Sequence, residues 1–202
     1  MNNHKVDLSD RFENVTILFA DIAGFTKYSS SVRPNQVVEM LRRLFTEFDK
    51  RCVQHKIYKV YTIGDCYVAI GMLNSEERNP IKEAKNIISF GFSMISIIKA
   101  VREDIDFKDL DMRIGVHTGQ IIGGIVGTNL VRYDIYGQDV LIANKMESNG
   151  LIGNIMISSD TKKLLEKDNE DCQYQFSFKK EVFVKNLERS IEGFLINQGN
   201  TL

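Results

Sequence analysis

The stretch Val15 to Thr26, VTILFADIAGFT, constrains this chain more than any other: an apolar run that stops on an acid and a glycine. Val15, Ile17, Leu18, Phe19 and Ala20 have the composition and length of a buried strand. Asp21 stands where that strand leaves the core. Gly24 permits a tight turn before Phe25 and Thr26 lead into a helical pattern. A carboxylate at a strand end beside a glycine-bearing turn suits a hard cation with phosphates, because turn N–H groups can face anionic oxygens. It suits a plain turn or cap equally well.

A second acid separates these readings. Ile57 to Thr62 (IYKVYT) and Cys66 to Gly71 (CYVAIG) read as two strands with Ile63, Gly64 and Asp65 between them. That is a hairpin with Asp65 at its tip. Turn chemistry alone would account for Asp65. Two carboxylates on adjacent strand ends, however, have the makings of a site for a pair of Mg²⁺ ions on a triphosphate.

The remaining elements follow from periodicity. Pro34 suits a first helical position, and Val37, Leu41, Leu44, Phe45, Phe48 and Cys52 form one apolar stripe on a helix from about Pro34 to His55. Ile81 to Arg102 reads as a second helix, apolar on most faces and therefore deeply buried. MRIGVHTG reads as a strand turning at Gly119 into IIGGIVG, where Gly123, Gly124 and Gly127 relieve close packing. Arg113 is the polar exception in that strand, and a surface ion pair is its commonest explanation. His117 reads as a satisfied core residue. A helix near Gln138 to Asn149 comes next, then NIMIS as a strand, SSDTKKLLEK as a helix, and QYQFSF, EVFV and SIEGFLI as strands. The pattern is an α+β sheet with helices on one face.

Composition excludes some functions. The chain has 202 residues, 43% hydrophobic and 26% charged, with a formal net charge of −1. That supports one well-buried domain and gives no basic face for nucleic acid or anionic lipid. The three cysteines, Cys52, Cys66 and Cys172, lack metal-type spacing and read as reduced thiols of a cytosolic domain. No signal peptide is read at the start of this sequence, and no apolar run reads as long enough to span a bilayer, so no membrane insertion by this chain is expected. Residues 1–14 read as a polar boundary segment, 15–197 as the domain and 198–202 as a tail.

Five blocks in order, FADIAGFT (19–26), TIGDCY (62–67), MRIGVHTG (112–119), GGIVG (123–127) and RYDIYGQDVLIANKMES (132–148), resemble the catalytic domain of the class III nucleotidyl cyclases, the adenylyl and guanylyl cyclases. The resemblance implies a ferredoxin-like βαββαβ core with a small C-terminal subdomain. It implies conversion of a purine nucleoside triphosphate to its 3′,5′-cyclic monophosphate and pyrophosphate. Two Mg²⁺ or Mn²⁺ ions would be bridged by Asp21 and Asp65, with Ile22 adding a backbone carbonyl. Gly24, Phe25 and Thr26 would cradle the β- and γ-phosphates, and Arg113 would contact the terminal phosphates.

The family's active sites form across a dimer, and the complementary half is altered here. Leu141 and Lys145 stand where the family places a ribose-binding asparagine and a transition-state arginine. Leucine cannot hydrogen-bond the ribose, and lysine lacks the planar guanidinium fork. Tyr61 and Asp134 occupy the purine-selecting positions. Lys185 matches a phosphate-binding lysine without its usual following glycines. The resemblance therefore implies the metal-bearing half of a heterodimeric or two-halved cyclase, nearly inactive alone, with Tyr61, Asp134, Leu141, Lys145 and Lys185 forming a degenerate second pocket. The reading leans to GTP, as in two-halved guanylyl cyclases of protists, which the Asn-, Lys- and Ile-rich composition would fit. ATP is the alternative, and a catalytically silent regulatory or dimerisation module is a further one.

Overall fold

The computed structural model describes residues 9–72, 76, 78–126, 132–168 and 174–199. β1 (Ser9–Ala23) runs through the middle of an eight-stranded sheet. Its side chains alternate as a strand requires. Leu18, Ala20 and Ile22 face one core, while Val15, Ile17 and Phe19 face another on the opposite side. An apolar run without polar alternation is what a strand buried on both faces needs.

After β1 the chain forms α1 (Phe25–Ser31) and α2 (Pro34–Gln54), then the hairpin β2 (Tyr58–Ile63) and β3 (Cys66–Ile70). α3 (Pro80–Asp104) follows, with the Asn79 side chain capping it by accepting from the Lys82 amide at 3.0 Å. β4 (Asp111–Val126) then returns beside β1. The order β2-β3-β1-β4 is the βαββαβ core expected. Its helices α2 and α3 share one face, their apolar residues meeting Leu18, Ala20, Met112 and Ile114. The Tyr67 ring meets Phe48 edge-on at 5.8 Å and both are fully buried. Each such aromatic contributes about 1.5–3 kcal/mol by leaving water.

The rest of the chain extends the same sheet. β5 (Arg132–Tyr136) pairs with β4, and α4 (Gln138–Asn149) crosses to β6 (Asn154–Ser158), which lies parallel to β4. α5 (Ser159–Glu166), β7 (Tyr174–Val184), a 3₁₀ turn at Lys185–Leu187 and β8 (Arg189–Gln198) complete it. α5 joins the α2–α3 side through Leu165. α4 is the exception to helices on one face, because its Val140 and Ala143 pack on Ile17 and Phe19. The C-terminal strands also close a small core of their own, Ile142, Met146, Met156, Val182, Val184, Ile191 and Leu195.

Several boundaries differ from the sequence expectation. β4 does not turn at Gly119 but continues straight to Val126, because Gly119 and Ile121 to Gly124 keep pairing with β1. From Tyr174 onward, the two expected strands ending in SF and EVFV are one strand, its register slipping between Ser177 and Lys179 where Phe178 takes φ 47°, as a β-bulge does. β1 begins at Ser9, inside the polar stretch expected to precede the domain. α3 is long and apolar enough by length and composition to cross a membrane, contrary to the expectation of no such run. Its apolar residues are nevertheless packed against the sheet. Gly127 and Cys172 lie outside the described residues.

Candidate active site

Antiparallel register builds the site. Asp21 of β1 is directly opposite Arg113 of β4, and facing residues on adjacent strands hold their Cβ atoms about 5 Å apart. Arg113 Nη2 donates to Asp21 Oδ2 at 3.2 Å. The β2–β3 hairpin then folds its tip back onto the end of β1. There the Asp65 carboxyl is near enough to Asp21 and to the Ile22 backbone N–H for both to act on it. Burial, then the neighbouring Asp21 charge, raises the Asp65 carboxyl above its usual value, against the pull of backbone amides. Two carboxyls this close call for a shared proton or a cation.

Gly24 sets the adjoining loop. It takes φ 83°, the left-handed region, and a Cβ there would come within 2.5 Å of the Asp109 carbonyl oxygen. Glycine is required on both counts. The loop is tied to the segment before β4 by the Lys27–Asp109 ion pair and by Tyr28 meeting Phe107 edge-on at 5.2 Å. No side chain caps the first turn of α1, so its amide groups at Phe25 and Thr26 are placed as an anion-facing turn would place them.

One acid at this site carries no role in the sequence reading. Arg113 Nε donates to Glu147 Oε1 at 2.6 Å, and the Glu147 side chain is only 7% exposed. Glu147 is on α4, whose backbone lies so near β4 that a Cβ at Gly115 would overlap the Glu147 nitrogen. Burial raises the Glu147 carboxyl above its ordinary value; Arg113 opposes this, and Asp21 and Asp65 add to it. The signal was present in the sequence: Glu147 continues the inward-facing positions Val140 and Ala143 at i, i+3 and i+7. Cys66 is beside the same carboxylates. Burial, then the charges of Asp21, Glu147 and Asp65, pushes its thiol up to about 12, which leaves it protonated and without nucleophilic power.

Among the described residues, no three His, Cys, Asp or Glu side chains converge as a ready metal cage. Mg²⁺ does not need one, since it commonly binds one or two carboxylates together with substrate phosphates and water. The like-charged pair Asp21 and Asp65, beside an uncapped turn and an arginine, fits an ion that arrives with a triphosphate.

The second-pocket residues are dispersed around α4 and the neighbouring strands. Leu141 is 42% exposed, and Lys145 follows it one turn along α4. Tyr61 is half-buried on β2, while Asp134 is buried on β5, its Oδ1 accepting the Ile135 amide at 2.9 Å. Lys185 is exposed and lines a hollow with Gln138 and Arg189. His117 is a core residue, as expected, with Nδ1 2.7 Å from Ser158 Oγ and Nε2 3.2 Å from Asp139 Oδ1.

Comparison with known proteins gives one family. The model for the adenylate and guanylate cyclase catalytic domain matches residues 8–198. The chain is 36% identical over 195 residues to guanylate cyclase alpha of Plasmodium falciparum, covering 95% of this chain and 4% of that protein. It is 40% identical over 196 residues to a guanylate cyclase of Toxoplasma gondii, again 95% of this chain and 4% of that protein. Among solved structures, the guanylate cyclase domain of RhGC from Catenaria anguillulae, in complex with GTP, superposes with a TM-score of 0.78 at 26% identity, covering 95% of this chain and all of that one.

Proposed function

The chain belongs to the adenylate and guanylate cyclase catalytic domain family, and from that premise we propose that it supplies the metal–triphosphate half of a dimeric active site converting GTP to 3′,5′-cyclic GMP and pyrophosphate. The observation that carries this reading is the convergence of Asp21 and Asp65 beside Arg113. Two Mg²⁺ or Mn²⁺ ions would make the ribose 3′-hydroxyl a better nucleophile and offset charge on the phosphates.

The residues of this chain do the rest. Asp21, Asp65 and the Ile22 carbonyl would hold the ions. The Gly24–Thr26 turn directs amide groups at the β- and γ-phosphates, and Arg113 meets the terminal phosphates, so that the chain of phosphates is fixed for in-line attack by the 3′-oxygen at the α-phosphorus. Leu141 and Lys145 leave the opposite pocket without a ribose hydrogen-bonder or a guanidinium, so a complementary domain is the partner that completes the working pocket. GTP is favoured over ATP because both curated relatives are guanylate cyclases. We place the domain, spanning at least residues 15–197, in the cytosol, where nucleoside triphosphates are available.

The test is Mn²⁺-supported turnover of GTP and of ATP, separately, by this chain alone and mixed with a cyclase half carrying the asparagine and arginine. Activity with GTP only in the mixture, lost with Asp21→Ala, is the expected result. Activity with ATP instead would reassign the purine. No turnover or nucleotide binding in any mixture would leave a silent dimerisation module.

A further inference from the structure

Arg113 is shared unequally between two acids. Its Nε donates to Glu147 at 2.6 Å and its Nη2 to Asp21 at 3.2 Å. The Glu147 side chain is 7% exposed, against 29% for both Arg113 and Asp21. A buried carboxylate on α4 is costly unless a paired charge offsets it, and the pairing takes only the Nε edge of a guanidinium that carries five N–H donors. Nη2 points toward Asp21, one of the two carboxylates proposed to receive metal.

We infer that Glu147 is the positioning residue for Arg113: it anchors Nε so that the Nη edge can pivot from Asp21 to phosphate oxygens when a metal–triphosphate arrives. The inference rests on the metal–triphosphate reading above. Its logic is electrostatic. Asp21 cannot bind a cation and keep its full attraction for Arg113, so metal entry releases the Nη edge. Without Glu147 the guanidinium would have no fixed axis and would pair wholly with Asp21, in competition with the metal. A Lys at this position could not divide its charge along two edges in this way.

The experiment is a double-mutant cycle on the whole chain, read by calorimetric affinity for inorganic triphosphate in Mn²⁺, with melting temperature recorded for each variant. Glu147→Gln preserves volume while removing the charge. It is expected to weaken triphosphate binding about tenfold, within the coupling range of residues in one network, and to have no further effect in an Arg113→Ala background. Equal weakening in both backgrounds would mean that Glu147 serves only to hold α4 on the sheet, and would overturn the inference. So would undiminished binding by Glu147→Gln when Arg113→Ala binds weakly. If the glutamine variant does not fold, Glu147→Asp, which retracts the anchor by one methylene, runs the same cycle. Wild-type chain that binds no Mn²⁺–triphosphate would sink the metal–phosphate reading itself, an outcome distinct from failure of the cycle.

Discussion

The Asp65 carboxyl at the tip of the β2–β3 hairpin lies beside the Asp21 carboxyl, near the end of β1. Burial of Asp65, and then this like-charged neighbour, has a measurable cost. The Asp65 value is raised above its ordinary 3.8, so the folded state holds that proton more tightly than the unfolded chain does. At pH above the raised value the ionised pair destabilises the fold, and stability returns as pH falls toward 3.8. Asp65→Asn is therefore expected to melt higher than wild type at pH 7.5 without divalent ions, by about 2–4 °C for each kcal/mol of repulsion removed. The difference should shrink on acidification. Added Mn²⁺ should stabilise wild type and leave the variant where it was. Thermal melts across pH with and without Mn²⁺ check this, and a variant that melts below wild type would contradict it.

The Gly24 turn gives a second expectation. A side chain there would have both a left-handed backbone and an overlap with the Asp109 carbonyl. Gly24→Ala should cost about 1–3 kcal/mol of stability and weaken Mn²⁺–triphosphate binding, because the loop must lift from the segment before β4. Urea unfolding and calorimetry measure the two effects. A Gly24→Ala chain that loses neither stability nor affinity would show that the turn adapts.

The altered pocket can be restored. Leu141 is already 42% exposed, so Leu141→Asn should be accepted by α4 at little cost, and Lys145→Arg retains charge while adding the guanidinium fork. The double variant is expected to raise GTP turnover by the chain alone at least tenfold, on the scale of restoring one charged transition-state contact. Unchanged turnover by a chain that dimerises would locate the defect elsewhere.

The His117–Asp139 pair sets an acid limit. Burial works against the ionised Asp139 carboxyl, but the close approach of His117 Nε2 at 3.2 Å and the hydrogen bond from the Gln120 amide, with the Arg189 charge, outweigh it and hold the group below 3.8. A lowered folded value contributes stability that is fully present above the unfolded value and is lost as pH falls through the folded one. Asp139→Asn should thus be less stable than wild type at neutral pH and lose less on acidification below about pH 4. Urea midpoints from pH 7 to pH 3 give the comparison; parallel curves would remove Asp139 as the cause.

Much of the fold was legible locally. The apolar run of β1, the stripe of α2 and the Gly64–Asp65 hairpin are patterns within one element, where side-chain period alone reports the buried face. What the sequence reading placed wrongly or left out depended on neighbours distant in the chain. β4 continues past Gly119 because β1 pairs with it beyond that point, and no residue within IIGGIVG announces a partner. α4 lies on the opposite face from α2 and α3 because Ile17 and Phe19 leave an apolar surface there.

The same division runs through the site. Local sequence was enough to place Asp21 near the end of one strand, Asp65 at a hairpin tip and a glycine turn after the first, since strand length and turn chemistry are short-range properties. It took the folded sheet to bring Arg113 opposite Asp21, and to set Glu147, the charged residue among the inward positions of α4, against the other edge of its guanidinium. Those contacts arise from strand register and helix placement, which the packing of the whole sheet sets.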